Sequence, residues 1–233
     1  MKKSAILSVI LSAVLCAGSF AGCGKKKDSS SSDEVKNSSV TETTQAAGTG
    51  ELIYPDKDSQ EYELGAYRIS DKGIKLYYED SEYPKELVST LESYFLSFQK
   101  GDYNEYKNYI FPSYIDTMEK KLQEDYGYGL EKSFQMQCDN LNTNMGGSFE
   151  ITRIKVEPPI EIESEEVGAD EFLDNLNEFF GNDYKASVKA DSDNLRYMTF
   201  SVMAKDTDGN ESLLVSSFYI LFAEKDGRYY TFG

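Results

Sequence analysis

The chain has no histidine, the residue whose unperturbed pKa lies nearest neutrality, so proton transfer would have to rest on other groups. What remains are 41 acidic residues and 18 tyrosines, which could act together as carboxylate base and phenolic hydrogen-bond donor. Tyr94, Tyr114, Tyr197, Tyr219 and Tyr230 fall where helix or strand spacing could turn an apolar ring with a polar tip toward one ligand-lined opening, although that spacing also suits core residues. Cys138 sits in the helical stripe Leu130, Phe134, Cys138, Leu141 with no basic partner, which reads as core rather than nucleophile. Zinc finds neither a cysteine pair nor a histidine. Calcium needs only oxygen, and Asp206, Asp208 and Asn210 alternate, but Glu211 occupies the sixth position, which requires glycine, and Ser217 the twelfth, so a hairpin turn is expected. The run Glu157, Glu161, Glu163, Glu165, Glu166, Asp170, Glu171 reads as a solvated face. No catalytic residue, metal ligand or cofactor-binding residue is assigned.

The N-terminus carries a different chemistry. Met1-Lys2-Lys3 leads into the uncharged stretch Ser4 to Gly22, whose strongly apolar part, Ala5 to Leu15, falls short of the about 20 residues a bilayer-spanning helix needs. That is the layout of a signal peptide. Phe20-Ala21-Gly22-Cys23 resembles the lipobox of bacterial lipoproteins, with phenylalanine where leucine is usual. The resemblance implies cleavage after Gly22 and diacylation of the Cys23 thiol. Cys16 follows the bulky pair Val14-Leu15 and leaves with the leader. The alternatives are ordinary signal-peptidase cleavage and a disulfide from Cys23 to Cys138, which would have to pin a long polar tract to the domain.

Two acyl chains, at about 0.8 kcal/mol per buried methylene, hold a protein stably where one chain would be marginal. Lys25, Lys26 and Lys27 then meet the headgroups. Asp28 to Gly50 is rich in Ser and Thr, can bury no core, and reads as a disordered tether; as flexible coil the 27 residues Gly24 to Gly50 span about 30 Å. Losing Lys2 and Lys3 from a chain of net charge −17 leaves 22 basic against 41 acidic residues, a mature charge of −19. The tether is balanced, so the excess belongs to Glu51 to Gly233. Such a domain is repelled by nucleic acid and by anionic lipid.

Within that domain the periodicity predicts a hairpin over Tyr62 to Tyr78 turning at Ser70 to Gly73, then four helices. The first carries Leu87, Val88, Leu91, Tyr94, Phe95 and Phe98 to a stop at Gly101. The second is capped by Asp102, the third begins at Ser113, and the fourth holds the Cys138 stripe. Phe149 and Ile151 run out of phase with Ile154 and Val156, so a β-bulge is expected near Thr152-Arg153. A short helix over Ala169 to Gly181 follows. Strands are expected at Lys185 to Asp191, Leu195 to Lys205, Ser212 to Glu224 and Arg228 to Phe232, with turns at Asp208-Gly209 and Asp226-Gly227. The fold class is α+β: helices packed on a curved antiparallel, cone-like sheet, preceded by a short β-hairpin.

Tyr94 to Ile110, with Lys100-Gly101-Asp102-Tyr103 at the helix break, resembles the first two helices of nuclear transport factor two-like (cystatin-like cone) domains, and Lys225 to Phe232 is similar to their last strand. The likeness covers about Tyr83 to Phe232. In enzymes of that kind the cone holds an acid–base pair, commonly His with Asp or Asp with Tyr, and only the second pairing is open here. Domains of this kind also recur on lipoproteins of Gram-positive bacteria. The expectation is a lipoprotein anchored in the cell membrane at Cys23, on its extracytoplasmic face, with a domain that binds a small ligand or a cell-surface protein without catalysis. The alternatives are a carboxylate/tyrosine enzyme of isomerase or dehydratase type and a structural module that uses the hairpin or the acidic loop.

Overall fold

The computed structural model describes residues 50–159, 162–181 and 183–233, without the side chains of 162–167. The leader, Cys16, the lipobox with Cys23 and the tether up to residue 49 lie outside the described residues.

Helix α1, Lys85–Lys100, forms because its apolar residues return every three or four positions; Leu87, Leu91, Phe95 and Phe98 are all buried on that stripe. Gly101 ends it at φ 64°, a left-handed value that costs glycine nothing, while the Gly101 and Asp102 amides donate to the Phe98 and Ser97 carbonyls. Asp102 then caps the short α2, Tyr103–Lys107, its Oδ1 accepting the Glu105 amide at 3.0 Å. Helix α3, Pro112–Tyr126, starts on the proline itself, whose missing N–H is no loss in a first turn. Helix α4, Leu130–Asn144, follows a glycine that has no side chain to cap with; Glu119 of α3 supplies the acceptor, its Oε2 taking the Leu130 amide at 2.6 Å.

Strands β1 (Arg68–Ile69), β2 (Lys75–Tyr77), β3 (Glu150–Val156), β4 (Asn194–Lys205), β5 (Glu211–Lys225) and β6 (Arg228–Thr231) form one curved, half-barrel sheet in that order. The fold is therefore α+β and cone-like. Neighbouring strands are antiparallel except β2 and β3, which run parallel with Leu76 opposite Ile154. The second hairpin strand is thus built into the main sheet. The bulge expected at Thr152-Arg153 is present as a register shift between Ile151 and Arg153. The β5–β6 turn places Asp226 and Gly227 at φ 53° and 70°, the paired positive values of a tight hairpin.

Each outer strand is met by another segment over part of its length. Ile53 exchanges two backbone hydrogen bonds with Tyr67 beside β1, and Tyr109 and Phe111 do the same with Thr231 of β6. At those residues the edge groups that could template another chain are satisfied locally.

Three expectations are corrected. Lys185 to Asp191 is a helix, not a strand: α6, Tyr184–Asp191, is capped by Asp183, and its buried residues Tyr184 and Val188 are four apart. An apparent alternation through Tyr184, Ala186 and Val188 gave way to a cap and two alanines that favour helix. Tyr62 and Leu64 lie in a 3₁₀ helix, Gln60–Leu64, ended by Gly65 at φ 87°, so the first hairpin strand is only β1. Helix α5, Ile162–Phe180, begins earlier than the predicted Ala169.

Alternation along β4 sorts its faces. Met198, Phe200, Val202 and Ala204 are buried, whereas Tyr197, Thr199, Ser201 and Met203 between them are half-buried. Phe200 meets Phe95 of α1 at 5.2 Å between ring centroids. On the other face Gly168 of α5 lies over Tyr197; a Cβ there would come within 3.0 Å of the ring. The sheet is packed by α1 on one face and touched by α5 on the other.

Candidate functional site

The five tyrosines singled out by pattern fall into three places. Tyr94 and Tyr114 are buried, and burial pushes both hydroxyls well above the usual tyrosine range. Tyr94 packs on Phe95, Phe98 and Tyr106; Tyr114 packs on Phe180 and Phe232. Tyr197 and Tyr219 meet on the opposite face of the sheet from Phe200, stacked 5.4 Å apart and within 8° of parallel, with Tyr219 half exposed. Tyr230 stands against Phe111 and under the Arg228 guanidinium. The structure brings Tyr197 to Tyr219 and sets Tyr94 and Tyr114 in the interior; it does not gather all five at one opening.

The interior between α1 and the other elements is occupied by rings. Phe134 of α4 lies 5.0 Å from Phe98 and 4.7 Å from Tyr106, and Tyr106 lies 5.4 Å from Phe98. The Tyr106 hydroxyl is buried there with no hydrogen-bond partner. The buried carboxylate of α1, Glu92, faces the hairpin turn: Lys72 Nζ lies 3.4 Å from its Oε2 and donates to Ser93 Oγ at 2.6 Å, while Oε1 has no partner. Its partner is thus a lysine rather than a tyrosine.

Cys138 is buried and unpaired, and burial, with Asp139 adding to it, pushes its thiol up to about 11. A thiol with a raised pKa is almost wholly protonated near pH 8, and the thiolate is the nucleophile. In the Cys23→Ala protein freed of its leader, a disulfide reagent is therefore expected to react at least tenfold faster with Cys138 in urea than in the folded state. Equal rates would show that the thiol is accessible.

Asp206 spends its carboxylate on the turn: Oδ1 accepts the Asp208 and Asn210 amides at 2.9 and 2.8 Å, and Oδ2 accepts the Asn210 side chain at 3.0 Å. Those bonds, the Asn210 side chain first, hold its carboxyl below the usual range. It is a hairpin turn. In the acidic run, Glu157 pairs with Lys155, and Asp170 with Lys185 and Lys189. Residue 161 and the side chains of Glu163, Glu165 and Glu166 lie outside the description.

A concavity lies elsewhere, at the rim where the 3₁₀ helix, β2 and β3 converge on the loop before α1. It is a cleft of about 230 Å³. Three tyrosines, Tyr77, Tyr78 and Tyr83, contribute to its lining, with apolar contributions from Leu64, Ala66 and Val156. Its charged lining is Glu79, Glu157 and Lys155. Tyr83 donates to the Glu157 carbonyl at 3.1 Å, tying the loop to the end of β3. In the sequence Tyr77 and Tyr78 read as hairpin rather than as a site. The available signal was the run Tyr77-Tyr78-Glu79-Asp80-Ser81-Glu82-Tyr83, in which aromatic and acidic residues crowd a strand-to-helix connection.

No family model matches the chain, and no curated protein or solved structure matches it either.

Proposed function

We propose that the protein is a lipoprotein held on the extracytoplasmic face of the membrane through Cys23. Its domain, of the nuclear transport factor two-like kind, binds a ligand or protein partner without catalysis. The observation that carries the non-catalytic half is the filled interior. Enzymes of that kind keep an acid–base pair between helices and sheet; here Phe95 of α1 meets Phe200 of β4 there, Tyr94, Phe98, Tyr106 and Phe134 pack between the helices, and the buried carboxylate of Glu92 is committed to Lys72. A general base must lie within hydrogen-bond reach of a substrate proton, and rings at van der Waals contact leave no room for one.

The anchoring half rests on Lys2-Lys3, the apolar stretch to Gly22 and the small residues before Cys23. Labelled palmitate fed to cells that express the protein is expected to enter it, and Cys23→Ala is expected to abolish the label and release the protein from the membrane fraction. A Cys23→Ala protein that stays in that fraction overturns the anchor.

A further inference from the structure

The rim cleft suits one class of ligand, and we infer that it binds an organic cation, an ammonium group carried on an apolar stem. This rests on the binding reading above and names the ligand class. Tyrosine faces attract cations through the ring quadrupole, and this edge of the sheet already uses that attraction twice. The Arg68 guanidinium lies 5.4 Å from the Tyr78 centroid, and Lys75 Nζ lies 4.9 Å from that of Tyr67. Both internal cations are committed elsewhere, Arg68 to Asp80 and Lys75 to Glu61.

The charges of the cleft point the same way. Lys155, its cation, pairs with Glu157 at 3.2 Å, and among the described residues Glu79 forms no ion pair. The cleft thus keeps one uncompensated negative charge beside tyrosines and an apolar wall of Leu64, Ala66 and Val156. The domain around it carries a large excess of acidic residues, which raises the local concentration of cations and repels anions. A stem of a few methylenes fits a cleft of about 230 Å³, and its charged end can remain partly solvated at Glu79.

The test uses the full mature chain carrying Cys23→Ala and three probes of one length: hexyltrimethylammonium, hexanol and hexanoate. Binding is read by tyrosine fluorescence and by the thermal midpoint. Hexyltrimethylammonium is expected to bind saturably, hexanol at least fivefold more weakly, and hexanoate not at all. Glu79→Gln, a substitution at an exposed residue, is expected to weaken the cation by about threefold to fivefold, the scale of one partly solvated ion pair. Ala66→Leu, confirmed folded by circular dichroism, is expected to abolish its binding by filling the cleft. Equal affinity for hexanol, no saturation by the cation, or binding untouched by both substitutions overturns the proposal. Each of those results leaves palmitate labelling at Cys23 unaffected, so failure of the cleft and failure of the anchor are separate outcomes.

Discussion

Phe134→Ala is expected to destabilise the domain by about 3–5 kcal/mol, lowering the thermal midpoint by about 10 °C. Phe134 is fully buried, and its ring touches three others: Phe98 of α1 at 5.0 Å, and Tyr103 and Tyr106 of α2 at 5.8 and 4.7 Å. Truncation removes the transfer free energy of the ring, empties space among rigid aromatics that collapse poorly, and discards aromatic pairs worth about 0.5–1.5 kcal/mol each. The ring joins three helices, so few neighbours can relax to fill the void. Urea unfolding followed by circular dichroism measures the change. A loss below about 1 kcal/mol would mean that α4 contributes little to the core.

The pair Lys72 and Glu92 should respond with opposite signs. Glu92 is 3% exposed, and its ion-pair partner among the described residues is Lys72, which reaches in from the hairpin turn. Lys72→Ala strands a buried carboxylate whose Oε1 is already without a partner, and is expected to cost about 2 kcal/mol. That value lies below the range for fully buried pairs because the Lys72 side chain is 38% exposed and water can take part of its place. Glu92→Met removes the desolvated charge and keeps the volume, and is expected to be neutral or to stabilise by about 1 kcal/mol. In the Glu92→Met background, Lys72→Ala should cost less than about 0.5 kcal/mol. A Lys72→Ala cost that is unchanged in that background would show that the lysine acts through Ser93 or the turn rather than through the carboxylate.

The α1 stripe, the Asp102 cap, the Gly101 stop and the bulge at Arg153 were legible because each is a local rule with one structural outcome. Four features were not, and for three of them the cause is tertiary. Residues 184–191 satisfy strand alternation and helix spacing about equally, and a cap at Asp183 with Tyr184 and Val188 packing inward decides between them. The parallel pairing of β2 with β3 joins segments about 80 residues apart, and nothing in either segment names its partner. The rim cleft was hidden for the same reason: Leu64, Tyr83 and Glu157 become neighbours only once that pairing forms. Glu92 sits among apolar neighbours in α1, but its burial depends on Lys72 arriving from another element.

The bridge between Ile53 and Tyr67 has a mechanical consequence for the tethered protein proposed above. Tension from the membrane would enter the fold at Gly50 and reach Ile53, where two backbone hydrogen bonds, of 2.7 and 2.9 Å, link it to the segment before β1. Behind them stands a strand of two residues, and only then β2, held between two neighbours. Load would therefore meet its weakest links first, outside the aromatic core. The edge bridge would serve as a fuse, yielding and re-forming under a tug while the domain stays folded.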